Sequence, residues 1–364
     1  MILLREIQEN DLESLEHFAQ IPGFINLPND RELLKEKIQL SVASFRNHAC
    51  KPAEGKFLFI AQDLNSGRVL GTSMIASQHG TEESPHFYFE VGSEKKFSST
   101  INTGFIHGTL KLKYDANGPS EIGGLVLDPS YRNTEARMGR QISFVRFLFL
   151  GLNKNLFKKK ILAELLPPLN KKGQSPLWEA VGRRFTNMDY WEADRLCQQN
   201  KEFIFSLFPS GKIYATFLTA EARNSIGKVG KETEPVLHML KKIGFEYKNQ
   251  VDPFDGGPHL WANVDEIHPV KRIQTYTLGS CSNPVSGGIK ANRELGLLCK
   301  SSQANGQFRA MSAEVLLRDG KLELVNIPGG GLSEDSALPG PVWDRVVTAL
   351  DIREGDSVVF MPYY

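Results

Sequence analysis

The chain has 364 residues, 41% of them hydrophobic, 23% charged and 10% aromatic, with a formal net charge of +1; this is the profile of an ordinary globular protein long enough to bury one or two sizeable cores. So even a charge balance excludes a general nucleic-acid or membrane-surface binder, which carries a large basic excess. The most apolar run, Ser143 to Leu152, is broken by Arg146 and falls short of the roughly 20 residues that cross a bilayer.

The four cysteines (Cys50, Cys197, Cys281 and Cys299) are scattered, with no Cys-x-x-Cys pair and no histidine at ligand spacing, which argues against a disulfide framework or a zinc site. No metal is expected. The first residues, "MILLREIQENDLESL", carry charge by Arg5 and contain no signal-like apolar region, so a cytoplasmic location is expected.

In chain order, "ILLREI" reads as a strand and "ENDLESLEHFAQ" as a helix that Asn10 or Asp11 could cap. A second helix is predicted over "DRELLKEKIQLSVASFRN", with Leu33, Leu34, Ile38 and Val42 on one face. "KFLFIAQD" and "RVLGTSMIAS" flank the polar turn "LNSG" and predict a hairpin in which Gly67 takes a positive φ. Further strands are expected in "HFYFEVG", "GTLKLKY" and "GLVLD".

From Ser120 the chain reads "SEIGGLVLDPSYRNTEARMGRQISFVRF", an apolar strand, a polar turn and a helix with Met138, Ile142, Val145 and Phe149 as its apolar stripe and Arg140 and Arg146 off it. "KILAELL" is then a strand stopped by Pro167 and Pro168, and "SPLWEAVGRRF" a short helix with Ser175 as N-cap and Pro176 in its first turn. "TEPVLHMLKKIGFEYKNQVD" has a related order, a helix, a glycine, an aromatic and a strand, and the two stretches together suggest duplicated α/β halves. Beyond residue 270, short strands ("LGLLCKSS", "QFRAMSAEVLL", "KLELVNI"), a "PGGG" turn, a helix from Pro341 and the strand "SVVFMPY" form a small β-rich C-terminal module suited to packing or oligomer contact. The expected organisation is therefore residues 1–270, with halves at 1–195 and 196–270, followed by 271–364.

A strand that turns directly into a helix leaves the first N–H groups of the helix free at the positive end of its dipole, where a pyrophosphate fits. In "DPSYRNTEARMGRQ", Arg132, Arg137 and Arg140 supply charge and Gly139 supplies close backbone access. The order of elements as a whole resembles the α+β acyl-CoA N-acyltransferase fold, GNAT, whose usual Gln/Arg-x-x-Gly-x-Gly/Ala turn is matched here only at Gly139, with Arg137 in the preceding glycine position.

More closely, "SEIGGLVLDPSYR", "AELLPPLNKKGQSPLWEAVGRRFTNMDYWEAD", "IYATFLTAEARNSIGKV" and "KKIGFEYKNQVDPFDGGP" resemble the arginine N-succinyltransferase family, whose arginine/ornithine-using subunits form part of it. The resemblance implies succinyl transfer from succinyl-CoA to the α-amino group of arginine or ornithine, with no permanently bound cofactor. It assigns succinyl-CoA contact to Leu125, most simply through its backbone, with Arg132 and Gly139 beside the cofactor. Glu121 is the candidate general base or contact to the cationic substrate, its plainer reading being a strand-end polar residue. Asp252 and Asp255 are candidates for a guanidinium, which favours carboxylates, and are equally suited to forming a turn.

The family's proton-donating histidine falls at Gly230 in "SIGKVGKETEP", and neither His238 nor His259 matches that position. "DANG" (Asp115 to Gly118) also departs from a family block that reads DHTG. These departures leave a second reading, a family member that binds ligand or serves as a partner subunit without turnover, in a homo-oligomer or in a hetero-oligomer with a related chain.

Overall fold

The computed structural model describes residues 1–20, 29–46, 54–131, 137–197, 202–279, 293–301, 307–318, 320–326 and 340–364. In chain order its elements are β1 (Ile2–Glu6), α1 (Leu12–Ala19), α2 (Arg31–Arg46), β2 (Lys56–Asp63), β3 (Val69–Ala76), β4 (His86–Ser98), β5 (Thr103–Asp115), β6 (Ser120–Leu127), α3 (Met138–Leu152) and β7 (Lys160–Glu164). A π-helical turn at Trp178–Gly182 then leads into α4 (Arg183–Thr186), α5 (Tyr190–Cys197), α6 (Glu202–Leu207), β8 (Lys212–Tyr214), α7 (Ala220–Ser225), α8 (Glu234–Lys242), β9 (Glu246–Val251) and β10 (Pro258–Asn263). The chain continues through α9 (His268–Lys271), β11 (Gln274–Leu278), β12 (Arg293–Lys300), β13 (Arg309–Arg318), β14 (Lys321–Asn326), α10 (Gly340–Leu350) and β15 (Ser357–Pro362). No helix among the described residues is long and apolar enough to cross a membrane.

The chain forms two compact units, one of residues 1–76, 123–157 and 264–364, the other of residues 77–122 and 158–263. The sequence reading divides the chain into consecutive blocks with a boundary near 270, whereas the contacts group it discontinuously. The reason is strand pairing: β1 lies antiparallel to β13, with Leu3 opposite Met311, so the chain start and the C-terminal module share one unit.

In the first unit β1, β2 and β3 are antiparallel neighbours, and Gly67 takes φ +72° at the hairpin turn as expected. Strands β12, β15, β11, β14 and β13 pair in succession, and β12 pairs back with β13. That closure removes the exposed edges a short sheet would otherwise present. Leu298, Met311, Val315, Leu322 and Phe360 fill its interior with Val346 and Leu350 of α10.

Helix α2 buries Leu34, Ile38, Ser41 and Phe45, while Leu33 and Val42 of the predicted stripe are only half-buried; the face is rotated because Ser41 Oγ accepts the Leu58 N–H (2.9 Å) of the adjacent β2. Helix α3 is buried on nearly every side from Gln141 to Leu150. Arg146 is therefore not on a solvent face. Its guanidinium donates to the Ser143 carbonyl (3.0 Å), Ser143 Oγ (2.7 Å) and the Gly123 carbonyl (3.2 Å), and burial pulls its pKa down to about 9. These bonds tie α3 to β6, the strand that leads into it.

In the second unit β7, β10, β9, β4, β5 and β8 are neighbours in that order. Strands β4 and β5 form a hairpin of thirteen residues a side, from His86↔Asp115 to Ser98↔Thr103, longer than the apolar cores "HFYFEVG" and "GTLKLKY" suggest. Ser175 caps the helical segment as expected, its Oγ accepting the Leu177 and Trp178 N–H groups (3.1 Å each). Gly182 and Phe185, however, lie within helix and are followed by α5 and α6 rather than a strand, so only the later segment, α8 to β9, has the helix-glycine-aromatic-strand order.

Asn10 and Asp11 do not cap α1 by side chain; Asp11 instead forms a bidentate buried pair with Arg5 (both contacts 2.7 Å) and accepts the Gln8 N–H (2.8 Å). Removing one partner of such a pair strands a buried charge, which costs about 3–5 kcal/mol. Asp11→Ala is thus expected to lower the unfolding free energy by about that amount in urea denaturation, and a wild-type midpoint would refute the role.

Candidate active site

Strand β6 begins at a fixed point. Ser120 is fully buried; its Oγ donates to the Ser77 carbonyl (2.5 Å) and accepts the Lys158 N–H (2.8 Å). Parallel pairing with β7 covers Ser120↔Ile161 and Glu121↔Leu162, so Glu121 stands at the end of that ladder. Gly118, retained in "DANG", lies so close to the loop after β3 that an added Cβ would sit 1.9 Å from the His79 carbonyl oxygen. The His79 N–H in turn donates to the Pro119 carbonyl (2.7 Å).

This packing places His79 beside Glu121, with Nδ1 2.9 Å from Oε2. Nδ1 is the nitrogen placed to donate to that carboxylate, which leaves Nε2 outside this contact. Nε2 faces Glu164 Oε1 at 3.7 Å. The same Glu164 oxygen lies 3.8 Å from His86 Nδ1 and 3.3 Å from His259 Nε2. Both of those histidines are buried, and His259 is directly opposite Glu164 in the β7/β10 ladder. Among the described residues, His79–His86–Glu164 and Glu164–Asp252–His259 are the groups whose ligand atoms lie close enough together for one ion.

The sequence reading raises His259 only as a substitute proton donor, and His79, His86 and Glu164 not at all. Their positions in sequence show no ligand spacing. The signal that does exist is a histidine at a core-facing position of an apolar strand, in "PHFYF" and "PHLW".

Asp252 and Asp255 hold a turn. Asp252 Oδ1 accepts the Phe254 N–H (2.5 Å) and the Asp255 N–H (3.3 Å), and Asp255 Oδ1 accepts the Gly257 N–H (2.7 Å). Ser175 Oγ donates to the Asp255 carbonyl (2.9 Å), and Phe254 packs against Trp178 and Tyr190, each at 4.7 Å between ring centroids. The blocks "SPLW", "MDYW" and "DPFDGGP" thus meet as one packed turn.

Gly230 works through its backbone, donating to the Leu166 carbonyl (3.0 Å) and accepting from Thr233 and Glu234 at the start of α8. His238 is exposed on α8.

In the first unit Leu125 is half-buried in β6 and directly follows Gly124, whose φ is +56°. A left-handed residue inside a strand re-aims the groups beside it. Asp128, at the strand's end, is raised by burial but held on balance below the usual carboxylate range by Ser130 and Arg68. Arg132 lies outside the described residues. Gly139 is in the first turn of α3, where an added Cβ would meet, among the described residues, Leu127 at ordinary contact distance (3.9 Å). Arg140, one of the charges of that turn, stacks on Tyr363 and Tyr364, 5.3 and 5.0 Å from the ring centres.

The fold is that of an α+β acyl-CoA N-acyltransferase of the GNAT type, with strand β6 leading into helix α3. The model of the arginine N-succinyltransferase beta subunit family matches residues 2–269, and the chain belongs to this family. It is 32% identical to an arginine N-succinyltransferase of Photorhabdus laumondii over 338 residues, covering 91% of this chain and 95% of the relative. An arginine N-succinyltransferase of an Enterobacter species is 32% identical over 314 residues, 85% of this chain and 88% of the relative. The solved structure of arginine/ornithine succinyltransferase subunit AI from Pseudomonas aeruginosa matches with a TM-score of 0.78 at 26% identity, covering 100% of this chain and 99% of that one. Nothing in these comparisons supports the reading of a subunit without turnover.

The geometry of β6 at Gly124 is testable. A side chain there meets both the left-handed backbone, at a cost of about 1–2 kcal/mol, and Met74 Cβ at 3.1 Å. Gly124→Ala is expected to lower the urea midpoint accordingly; an unchanged midpoint would mean the strand relaxes freely at this position.

Proposed function

We propose that this chain is a cytoplasmic arginine N-succinyltransferase, which moves the succinyl group of succinyl-CoA to the α-amino nitrogen of arginine or of ornithine. The observation that carries the reading is the likeness over the whole chain to the succinyltransferase subunit of Pseudomonas aeruginosa, together with family membership. In the reaction a carbon–nitrogen bond forms as the thioester carbon–sulfur bond breaks. The α-ammonium loses its proton first, the carbonyl oxygen gathers charge, and the departing thiolate ends as a thiol.

The backbone of Leu125, next to the left-handed Gly124, is assigned to the pantetheine or thioester. The α3 N-terminus at Gly139 and the side chain of Arg132 are assigned to the pyrophosphate, which suits free helix N–H groups. Glu121, four residues before Leu125 on the same strand, is assigned to the substrate amine, as base through water or as its counter-charge. Asp252, less buried than Asp255, is assigned to the guanidinium, with Oδ1 kept for the turn. A free thiol has a pKa near about 8.5, so its thiolate leaves with modest help, and Gly230 provides none.

Incubation with succinyl-CoA is expected to release free thiol only when arginine or ornithine is present; no release across a panel of acyl-CoAs and cationic amines would sink the proposal. Glu121→Gln is expected to lower kcat/KM by about 10²–10⁴-fold, the usual contribution of a general acid or base, in the same assay. Gly230→His restores a titratable group where the family has one and is expected to raise kcat. An added Cβ there lies 3.2 Å from the Pro167 carbonyl oxygen, so a small local shift must accompany it, and an unchanged or lower rate would count against loss of the donor.

A further inference from the structure

We propose that His79, His86 and Glu164 bind one divalent transition metal ion of the zinc class, with Glu121 orienting His79 from behind. The argument begins with separations. His79 Nε2 and His86 Nδ1 lie 3.7 and 3.8 Å from the same Glu164 oxygen, too far for hydrogen bonds. They are close to the spacing of ligands shared by one ion, since atoms held about 2.0–2.1 Å from a tetrahedral zinc lie roughly 3.3–3.4 Å from one another. All three ligand atoms fall within 4.8 Å of one another, so small side-chain adjustments bring them to one ion.

The second, independent observation is the 2.9 Å contact from His79 Nδ1 to Glu121 Oε2. A metal-binding histidine characteristically gives its other ring N–H to a carboxylate, which fixes the tautomer and points the bare nitrogen at the ion. Here that bare nitrogen is Nε2, which is buried and makes no hydrogen bond. It points towards Glu164.

Imidazole and carboxylate donors suit zinc, cobalt or nickel rather than magnesium or calcium, which take oxygen ligands. Three protein ligands also leave one tetrahedral position for water or a further group. His259, 3.3 Å from the same oxygen, stands opposite Glu164 on β10. The ion would join the loop after β3, strand β4 and strand β7, which the sequence separates widely. Glu121 can serve both this site and the amine, since Oε2 faces His79 and a carboxylate offers about four lone-pair sites. The proposal stands on binding geometry and not on succinyl transfer, so its test does not depend on activity.

The test uses the full-length, untagged chain, stripped with a chelator and titrated with Co²⁺ and Zn²⁺. Visible cobalt absorption, calorimetry and thermal unfolding are the readouts. The expected result is saturation at one equivalent, a tetrahedral cobalt spectrum that Zn²⁺ displaces, and a higher Tm with metal. His79→Gln and Glu164→Gln should each abolish the cobalt spectrum. Glu121→Gln should keep the stoichiometry and weaken affinity by about 10–100-fold, as loss of an orienting partner does. His107→Gln, which removes a half-buried histidine of β5 paired with Thr216, should change nothing. Should His79→Gln fail to fold, the wild-type titration and Glu121→Gln decide alone. Absence of saturable one-to-one binding in the wild type, or a cobalt spectrum that survives His79→Gln, would overturn the proposal.

Discussion

The start of strand β6 is the constraint on which the rest depends. Ser120 is fully buried and spends its hydroxyl twice, donating to Ser77 and accepting from Lys158. A buried hydroxyl left unsatisfied is costly, so the strand cannot slip, and in a strand a slip of one residue would turn every side chain to the other face. Ser120 therefore sets the direction of Glu121, and Gly124, with its left-handed backbone, immediately precedes Leu125. Glu121 and Leu125 thus lie four residues apart on one strand.

Around that anchor, glycines act as close-approach points rather than as phosphate ligands. Gly118 lets the chain touch the His79 carbonyl, and Gly257 would place a Cβ 2.1 Å from the Leu165 carbonyl. Both hold the histidine-carboxylate cluster together by bringing loops against strand ends. The arginines of the cofactor turn behave differently from their appearance in sequence: Arg140 is stacked on the two C-terminal tyrosines, and Arg146 is buried inside α3 with three backbone or hydroxyl partners. Positive charge in "YRNTEARMGRQISFVRF" therefore serves packing as well as any ligand.

Much of the architecture was legible because local chemistry and tertiary packing agree. The β2–β3 hairpin has an apolar strand on either side of a glycine turn, Ser175 caps the helical segment after β7, and β6 runs into α3 as the pattern implies. Where reading failed, packing overrode period. Helix α3 is buried all round, so its apolar stripe gave no warning that Arg146 is inside; α2 turned its face to satisfy Ser41; and the charged ends of β4 and β5 stay paired because the ladder extends past the apolar segment that nucleates it.

The sequence by itself determined the family, since blocks such as "SEIGGLVLDPSYR" and "FDGGP" carry the resemblance and form a fixed strand start and a hydrogen-bonded turn. Only the tertiary structure decided what surrounds Glu121. His79, His86, Glu164 and His259 come from a loop and three strands, and the spacing of strand neighbours depends on register across the sheet rather than on distance along the chain. A cluster assembled in that way leaves no periodic trace in sequence, whereas a motif within one strand or turn does.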